Sequence, residues 1–533
     1  MKKDYSILIG GEAGQGSRKA GLIIAKIFNQ MGYNVFIHDD YQSLIKGGHS
    51  FSQIRASDEE CLTHSKKVDF ILALDKKTIE KHKAILNKGG IIISGERPYE
   101  IVKELNGNRI MGNIAMIAIF SKHIGIDWKT LSSILKKEIS RDIEKNLEIA
   151  KKAYNETKEL FKIEKIKKKV NPLVTGNEAI ALGAIDAGLD IYSAYPMTPA
   201  TSILHYLAEK RKTITTQAEN EIAVINSIIG SAYAGKRSMT GTSGGGFALM
   251  TEAISFASIA EIPILVVNSQ RAGPASGVPT YSAQGDLLFS LNSGHGDIVR
   301  FVASPGDANE AYYLSGTLLN LAWKYQTPAI LLADKELSES TYEFYPKKIK
   351  KEKELLWDNK GEYERYAQTE NGISPMAYPG KTIVKATSYE HDRKGYTTED
   401  AETIIAMQDK RLRKFKEMEK ALNELETVNV YGNKKSKKAV ICWGSTKGAV
   451  KEASLKLGLK VIQILFLQPF PIKELKKALK GVDKLVSVEC NSTGQLSVLL
   501  SQNGIKVDKQ ILKYDARPFN PEDLELKLKK IWK

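Results

Sequence analysis

Short apolar segments of five or six residues alternate along this chain with longer segments whose apolar residues recur at helical spacing. The first such unit runs from a strand at 5–10 through a glycine-rich loop into a helix at 17–31 and a second strand at 33–37. Buried strands that alternate with helices are typical of parallel sheets covered by helices on both faces. The pattern therefore predicts an α/β fold built from doubly wound, Rossmann-like parallel sheets.

The alternation restarts twice, and the restarts set the predicted domain boundaries. A lysine-rich stretch near residue 165 ends the first α/β region, and a charged, weakly periodic stretch follows the second. A chain of 533 residues also exceeds what one hydrophobic core usually serves. We predict three domains, at residues 1–165, 172–343 and 429–533, and a linker with one helix at 344–428.

The composition, with 42% hydrophobic and 26% charged residues, is that of a globular protein. The longest apolar runs are interrupted by charges or too short to span a bilayer, and the N-terminal residues lack the apolar core of a secretory signal. We expect a cytoplasmic protein that does not enter a membrane. The net charge of +16 comes mainly from lysines interspersed with glutamates, which predicts solvated surfaces, not nucleic-acid binding. Such a surface also attracts an acidic redox partner.

The cysteine count limits the redox chemistry that the chain performs by itself. Its three cysteines are Cys61, Cys442 and Cys490, and they are too widely spaced for a CxxC pair or a disulfide framework. A four-iron cluster normally requires four thiolates. The chain alone is therefore not expected to hold such a cluster.

The loop from Gly10 to Gly16, with the sequence GGEAGQG, joins the first strand to the first helix. Backbone N–H groups and the helix dipole at such a junction favour an anionic group, so phosphate binding is a candidate function for Gly14 and Gly16. The glycine spacing differs from a dinucleotide fingerprint, although Asp39 and Asp40 fall where a ribose-binding acid would stand. NAD binding and simple close packing of strand and helix are the alternatives.

A second candidate site lies in the middle domain, at the carboxyl ends of its predicted strands, where open α/β sheets bind ligands. The turn Tyr195-Pro196-Met197-Thr198-Pro199 follows one strand, and its prolines stiffen it enough to hold the Thr198 hydroxyl toward a ligand. The alternative is that this hydroxyl caps the following helix.

Glu219 and Glu221 begin the next predicted helix but face in different directions. Residues at helical spacing after Glu221 are Val224, Ile225 and Ile228, so its carboxylate heads an apolar stripe and should be buried. A buried carboxylate needs a partner, which suggests a ligand nitrogen or a cation. An exposed first-turn glutamate, favoured by the helix dipole, is the alternative.

Two further segments complete the predicted site. Gly244 and Gly245 lie in a glycine-rich strand-to-helix loop that lets a ligand approach the backbone closely. Arg271 follows an apolar strand, and a guanidinium there is suited to clamp a substrate carboxylate in a bidentate manner. The alternative for Arg271 is an ordinary surface arginine.

Taken in order, these segments resemble the fused gamma-alpha subunit of 2-oxoacid:ferredoxin oxidoreductases, and the resemblance covers nearly the whole chain. The motifs that carry it are GGEAGQG (10–16), KGGHS (46–50), TGNEAIALGAIDAG (175–188), YPMTPAT (195–201), ENEIA (219–223), GTSGGGFALMTE (241–252), QGDLLF (284–289), GHGD (294–297), EHD with TTED (390–400) and ARPFNPEDL (516–524).

The resemblance implies specific roles for the middle domain, which is similar to the pyrimidine-binding domain of thiamine-diphosphate enzymes. Glu221 matches the glutamate that faces N1′ of the aminopyrimidine and favours the tautomer that activates the cofactor. Arg271 matches the arginine implied to hold the 2-oxoacid carboxylate, and Thr198 the threonine that contacts the reacting substrate. Tyr195 and Pro196 are implied to line the substrate site, and Gly244 and Gly245 to contact the cofactor.

The resemblance also implies what the other domains and partners supply. The first domain is similar to the gamma domain that helps bind coenzyme A, with Gly14, Gly16, Ser43, Lys46 and Ser50 as contacts, and the third resembles the transketolase C-terminal domain. The magnesium-diphosphate signature is missing, so Mg²⁺ and the [4Fe-4S] cluster are expected in a separate beta subunit. That subunit passes electrons singly to ferredoxin, in a heterodimer or a dimer of heterodimers.

Several positions depart from the common family pattern and concern the choice of substrate. They include Met197, Ala200, Ala275, Ser276 and the segment 281–283. The fused layout makes 2-oxoglutarate the first expectation, with pyruvate and branched-chain 2-oxoacids as alternatives. A non-redox thiamine enzyme, a non-catalytic scaffold subunit and an NAD-binding regulator are the competing classes of function.

Overall fold

The computed structural model describes residues 3–43 and 48–532 and divides the chain into two compact units. Unit 1 comprises residues up to 174 together with 339–345 and 520–526, and unit 2 comprises 175–338, 346–519 and the residues from 527 onward. Within the described residues no helix has the length and apolar character needed to cross a membrane.

The elements up to the end of unit 1's main segment follow the alternation expected from the sequence. In chain order they are β1 Asp4–Glu12, α1 Ser17–Gln30, β2 Asn34–Tyr41, β3 His49–Ser57, β4 Val68–Ala73, α2 Lys76–His82, β5 Leu86–Ser94, α3 Glu96–Glu104, α4 Gly112–His123, α5 Trp128–Glu138, α6 Ile143–Glu156 and β6 Leu173–Thr175.

The middle of the chain continues the alternation in unit 2 and then returns to unit 1 with one strand, β13. The elements are α7 Gly176–Asp186, β7 Ile191–Ala194, α8 Thr201–Lys210, β8 Ile214–Gln217, α9 Glu221–Tyr233, β9 Ser238–Thr242, α10 Gly244–Leu249, α11 Thr251–Ile259, β10 Ile264–Gln270, α12 Leu287–Leu291, β11 Phe301–Ala303, α13 Ala308–Tyr325, β12 Pro328–Asp334, α14 Lys335–Glu339 and β13 Thr341–Glu343.

The last third of the chain contains the linker helix and the third sheet. Its elements are α15 Ala401–Ala421, β14 Val428–Gly432, β15 Lys438–Trp443, α16 Lys447–Lys456, β16 Lys460–Ile464, β17 Phe466–Gln468, α17 Ile472–Leu479, β18 Lys484–Glu489, α18 Gln495–Gln502, β19 Lys509–Leu512 and α19 Pro521–Trp532.

The sheet of unit 1 has the strand order β5-β4-β1-β3-β2-β13-β6. β1 pairs in parallel with β4, but β3 pairs antiparallel with both β1 and β2. The sequence predicted the helix α1 and the strands on either side of it, yet it missed β3, whose polar residues hide the period-two pattern. β6 and β13 also join this sheet, although the sequence boundaries assigned 172–343 to the second domain. β13 does so through antiparallel pairing of Thr341 with Ile37.

Unit 2 contains the two remaining sheets. The larger has the order β17-β11-β12-β10-β9-β7-β8 and is parallel except for β17, and the smaller has the order β14-β16-β15-β18-β19. The central strand of the larger sheet, β10, is buried along its whole length, as expected for a strand covered by helices on both faces. The sequence merged β16 and β17 into one strand, whereas the chain turns after Ile464 so that β17 pairs with β11. The domain limits drawn from the sequence otherwise stay predictions.

The linker between these sheets is anchored by a buried ion cluster. Helix α15 is capped by the Asp400 side chain. Its Lys410 and Lys414 form ion pairs with Glu261, which lies just after α11, and all three side chains are at most 1% exposed. Burial lowers the pKa of Lys414 to about 7. Burial alone would raise the pKa of Glu261, but the adjacent cations lower it below its ordinary value.

We predict that Glu261→Gln destabilises the protein by about 3–5 kcal/mol, because it leaves two buried ammonium groups without a counter-charge. Glu417→Gln, on the same helix α15 and paired with Lys420 near the surface, is the matched control and should change stability by at most about 0.5 kcal/mol. Urea unfolding monitored by circular dichroism measures both. Equal stability of the two variants would contradict a supporting role for the cluster.

Candidate active site

The predicted site residues of unit 2 gather at one edge of the larger sheet. The parallel strands β7, β8, β9 and β10 end at Ala194, Gln217, Thr242 and Gln270, and each is followed within a few residues by one of the predicted site segments. Parallel strands direct their carboxyl ends to the same edge, which is where such sheets bind ligands. Topology alone therefore brings together segments that are up to about 75 residues apart in sequence.

Glu221 is the first residue of α9 and is only 3% exposed. Asn220 caps the helix by accepting a hydrogen bond from the Ala223 N–H at 2.9 Å, and the apolar stripe of Val224 and its neighbours turns the Glu221 side chain inward. Glu219 precedes the helix and is exposed. The expectation that Glu221 is the buried carboxylate of the two is confirmed.

The carboxylate of Glu221 lacks the partner that its burial demands. Among the described residues its Oε1 atom makes no hydrogen bond. An unpaired charged oxygen in an apolar site costs several kcal/mol, so a protein retains one where a ligand supplies the missing partner. Oε1 is the atom on which the chemistry of the site would depend.

The glycine turn Gly244–Gly246, which opens α10, lies directly against this carboxylate. A side chain on Gly246 would place its Cβ 2.5 Å from Glu221 Oε1 and 2.2 Å from Thr242 Oγ1. A Cβ on Gly245, in contrast, would meet no atom within 4 Å. Gly246 therefore permits the carboxylate to approach the backbone, and Gly245 faces open space beside it.

Arg271 lies just beyond β10 and reaches the turn that contains Thr198. Its Nη1 donates a hydrogen bond to the Thr198 carbonyl oxygen at 2.9 Å, and its buried Nε has no partner among the described residues. Burial lowers the pKa of the Arg271 guanidinium, while the Glu221 carboxylate opposes that shift. The guanidinium and the carboxylate thus act on each other electrostatically within one site.

The turn of Thr198 packs against the end of β9 through a weak hydrogen bond from Thr242 Oγ1 to Met197 Sδ at 3.8 Å. Helix α8 begins at Thr201 with Ala200 as its N-cap and without a side-chain cap. The alternative that Thr198 serves to cap this helix is therefore wrong. Tyr195 is 40% exposed, and Pro196 is partly buried beside it.

Comparisons with known proteins agree with this geometry. Residues 182–410 match the family "Pyruvate flavodoxin/ferredoxin oxidoreductase, thiamine diP-bdg", and residues 6–156 match "Pyruvate ferredoxin/flavodoxin oxidoreductase". The chain is 31% identical to a 2-oxoacid:ferredoxin oxidoreductase subunit alpha of Saccharolobus solfataricus, over 99% of this chain and 97% of the relative. It belongs to the 2-oxoacid:ferredoxin oxidoreductase alpha subunits.

Two further relatives extend the comparison. A 2-oxoglutarate synthase subunit KorA of Methanocaldococcus jannaschii is 32% identical over 66% of this chain and 97% of its own length. The solved 2-oxoglutarate:ferredoxin oxidoreductase of Magnetococcus marinus, with 2-oxoglutarate, coenzyme A and succinyl-CoA bound, superposes with a TM-score of 0.90 at 31% identity, covering 99% of this chain and all of that chain. The α/β architecture is thereby confirmed, and the chain is one subunit of a multi-subunit oxidoreductase.

The residues of this 2-oxoacid:ferredoxin oxidoreductase subunit fit thiamine diphosphate at the edge just described. A buried carboxylate oxygen without a partner matches a ring nitrogen that carries or accepts a proton, and a turn without side chains leaves space for a flat ring. The roles of Glu221, Thr198 and Arg271 toward cofactor and substrate stay predictions, as do those of Tyr195 and Pro196.

In unit 1 the glycine loop has the form expected of an anion site. Gly14 is exposed with φ +97° and no atom within 4 Å of its Cβ position, and Gly16, with φ +78°, is the N-cap of α1. Ser17 at the start of that helix contacts Ser50, with 3.1 Å between the hydroxyl oxygens. Ser43 is exposed, and Lys46 lies outside the described residues.

Some residues near the two sites escaped the sequence analysis. His49 and His82 face each other beside the glycine loop, with 2.8 Å between their Nε2 atoms. Burial lowers the pKa of both rings, that of His82 to about 4. In the QGDLLF motif, Asp286 lies close to the turn at Gly244, and Gln284 bonds to Trp443 and Cys490 of the third sheet. No spacing rule pointed to them, because their contacts are with residues far away in sequence.

We predict that Glu221→Gln raises the stability of the isolated chain by about 1 kcal/mol, since it removes a buried charge whose Oε1 makes no hydrogen bond to the described residues while keeping the side-chain shape. Glu219→Gln, two residues earlier and exposed, is the control and should leave stability unchanged. Thermal unfolding without added cofactor measures both. A Glu221→Gln variant less stable than the control would mean that the carboxylate is already paired.

Proposed function

We propose that the chain is the alpha-type subunit of a 2-oxoglutarate:ferredoxin oxidoreductase. The reaction converts 2-oxoglutarate, coenzyme A and two oxidised ferredoxins into succinyl-CoA, CO2, two reduced ferredoxins and a proton. The observation that carries the proposal is the buried, unpartnered Glu221 Oε1 beside a glycine turn and within the field of Arg271. Pyruvate and branched-chain 2-oxoacids are the alternative substrates.

Glu221 is proposed to hold the proton at N1′ of the aminopyrimidine, with Gly244 and Gly245 as the backbone surface that the ring contacts. Bound thiamine diphosphate supplies the nucleophilic carbon and the electron sink for loss of CO2. Glu221 acts from an apolar setting, where its charge is worth more than it is in water. Its Oε1 is oriented by the helix start and not by a competing hydrogen bond.

Arg271 is proposed to bind the 2-oxoacid carboxylate, and Thr198 to contact its reacting end from the turn that also carries Tyr195 and Pro196. The Arg271 Nη1 bond to the Thr198 carbonyl aligns the two residues. A guanidinium has five donors in a fixed fork, so one bond to the turn leaves donors for a substrate carboxylate. Because burial disfavours its charge, an anionic substrate is a suitable counter-ion.

The partner is proposed to be a beta subunit that supplies Mg²⁺, the diphosphate site and a [4Fe-4S] cluster, in a heterodimer or a dimer of heterodimers. The three cysteines of this chain are buried and widely separated in sequence, which supports placing the cluster elsewhere. Free thiols also suit a cytoplasmic location. The net charge of +16 favours an acidic acceptor such as ferredoxin.

The choice of 2-oxoglutarate is supported by the relatives named for that substrate and by the bound ligands of the solved neighbour. Residues 1–165 are proposed as the coenzyme A domain, with Gly14, Gly16, Ser43, Lys46 and Ser50 as contacts. The start of α1 next to Ser17 and Ser50 supplies free N–H groups for a phosphate.

We predict that the complex of this chain with its beta subunit reduces a viologen dye with 2-oxoglutarate at least about tenfold faster than with pyruvate, and only when coenzyme A is present. Glu221→Gln should lower kcat by about 10² to 10⁴, the usual contribution of a positioned proton-transfer group. Glu219→Gln should keep wild-type rates.

Each other result of that assay excludes a specific idea. Full activity of Glu221→Gln would make the chain a scaffold. Decarboxylation without dye reduction would indicate a non-redox thiamine enzyme, and preference for pyruvate would replace the proposed substrate. Protection of the Gly14 loop from proteolysis by NAD but not by coenzyme A would favour a nucleotide-binding regulator.

We predict that Lys46→Ala raises the KM for coenzyme A about tenfold without changing the affinity for thiamine diphosphate, because a lysine in the KGGHS motif supplies charge for a phosphate group. Lys19→Ala on α1, whose ammonium pairs with Glu138, is the matched control and should leave the KM unchanged. Initial rates of the complex at varied coenzyme A measure both. An unchanged KM in Lys46→Ala would remove this residue from the proposed contacts.

A further inference from the structure

The glycine turn at the start of α10 lies between two carboxyl groups, of which the proposed mechanism uses one. Glu221 Oε1 occupies the space beside Gly246, as described above. At the other end of the turn, a Cβ on Gly244 would lie 2.5 Å from Asp286 Oδ2 and 3.2 Å from its carboxyl carbon. Asp286 thus fills the position that a side chain at residue 244 would take, and its contact limits where the turn can lie.

Asp286 is itself held by the strand next to the turn. Its backbone N–H donates to Gln270 Oε1 at 2.8 Å, and Asn268 Nδ2 donates to its Oδ2 at 3.4 Å. Both partners are on β10 and are fully buried. Burial raises the pKa of the Asp286 carboxyl, with the Asn268 bond acting in the opposite direction. A carboxyl that is more readily neutral packs against a backbone turn at lower desolvation cost.

The segment that carries Asp286 is fixed at its other end by the third sheet. Gln284 is fully buried, and its Nε2 donates to the Trp443 carbonyl at 2.9 Å while its Oε1 accepts from the Cys490 N–H at 2.9 Å. Its backbone N–H also donates to the Cys490 carbonyl at 2.7 Å. Trp443 ends β15, and Cys490 directly follows β18.

These contacts explain what the third sheet does for the site. The carboxyl edge of an open parallel sheet is its usual ligand-binding edge, and here Gln284 occupies it. A fully satisfied buried amide tolerates little displacement, because each broken bond leaves a desolvated polar group. The distance from the third sheet to the glycine turn is therefore set by the single residue, Gly285, between Gln284 and Asp286.

We propose that Asp286 is a positioning residue for thiamine diphosphate, holding the glycine turn 244–246 against Glu221 with the third sheet as its support through Gln284. The inference rests on the proposed function, since it concerns the same cofactor. It assigns a task to the third sheet, for which the sequence resemblance implied no site residues, and to an acid that is not among the proposed contacts of the reacting atoms.

The test is a double-mutant cycle on the complex with the beta subunit, stripped of cofactor and titrated with thiamine diphosphate. We predict that Gly244→Ala, whose new methyl group collides with Asp286, weakens thiamine diphosphate binding about tenfold. Asp286→Ala should weaken it about fivefold. The double variant should bind no more weakly than Asp286→Ala alone, because the obstacle to the methyl group is gone.

Two further measurements separate positioning from mere loss of structure. Asp286→Asn keeps the shape of the carboxyl and should bind the cofactor within about twofold of wild type. Asp286→Ala should alter the near-ultraviolet circular dichroism of the bound aminopyrimidine, which reports its tautomer. Asn292→Ala, at the C-cap of the same helix α12, is the control and should change neither affinity nor spectrum.

The outcomes are distinct. Equal weakening by Gly244→Ala with and without Asp286 would overturn the proposal, as would wild-type affinity and spectrum in Asp286→Ala. The proposal would also be overturned if Asp286→Ala lost affinity only in proportion to a fall in its thermal unfolding midpoint and left the spectrum unchanged. If the wild-type complex binds no thiamine diphosphate, the proposed function is wrong. The double-mutant cycle then tests the contact between Asp286 and Gly244 through the stabilities of the variants.

Discussion

The unpartnered carboxylate of Glu221 is the constraint on which the arrangement of the larger sheet's carboxyl edge depends. A charge at 3% exposure whose Oε1 makes no hydrogen bond to any residue that the structure describes is unfavourable in the free chain, and no neighbouring side chain pairs with that atom. Gly246 lacks the side chain that would cover it, and Gly245 keeps the adjacent space open. Arg271 is close enough to interact electrostatically with the Glu221 carboxylate, but its Nη1 donates a hydrogen bond to the Thr198 carbonyl oxygen. The site is thus preorganised for a ligand, at a cost to the stability of the free chain.

The two sheets of unit 2 contribute to this site in different ways. The larger sheet supplies the functional side chains from the ends of β7, β8, β9 and β10. The smaller sheet is proposed to hold the glycine turn in place, because Gln284, and not a ligand, binds at its carboxyl edge. A second buried connection joins them, where Lys447 at the start of α16 pairs with Asp307 and Glu310 at the start of α13. Such pairs are costly to break but contribute little net stability. They therefore fix the orientation of the two sheets more than they stabilise the fold.

Sequence reasoning succeeded where a residue's setting follows from local periodicity. The α/β alternation predicts strands at 190–194, 438–443 and 484–489, where β7, β15 and β18 lie, and helical spacing identified Glu221 rather than Glu219 as the buried acid. It failed where tertiary pairing decides. Strand β3 carries serine, glutamine and arginine on a buried face, so its composition did not predict a strand. β17 pairs with β11 of the larger sheet, and local periodicity does not predict such a pairing. Local periodicity assigns nothing to Asp286, because its contact is with Gly244, some forty residues earlier.

The proposed separation of carboxylate and diphosphate sites between two chains has a physical consequence for this subunit. A chain that carried both would bind the cofactor by itself and would pair its buried acid without a second subunit. This chain carries the acid, the guanidinium and the glycine turn, and its motifs contain no magnesium-diphosphate signature. In the proposed assembly a ring nitrogen at Oε1 gives the buried Glu221 carboxylate its missing hydrogen bond, and the partner determines when that occurs. Coupling subunit association to the relief of a buried charge gives the cofactor higher affinity for the complex than for either chain.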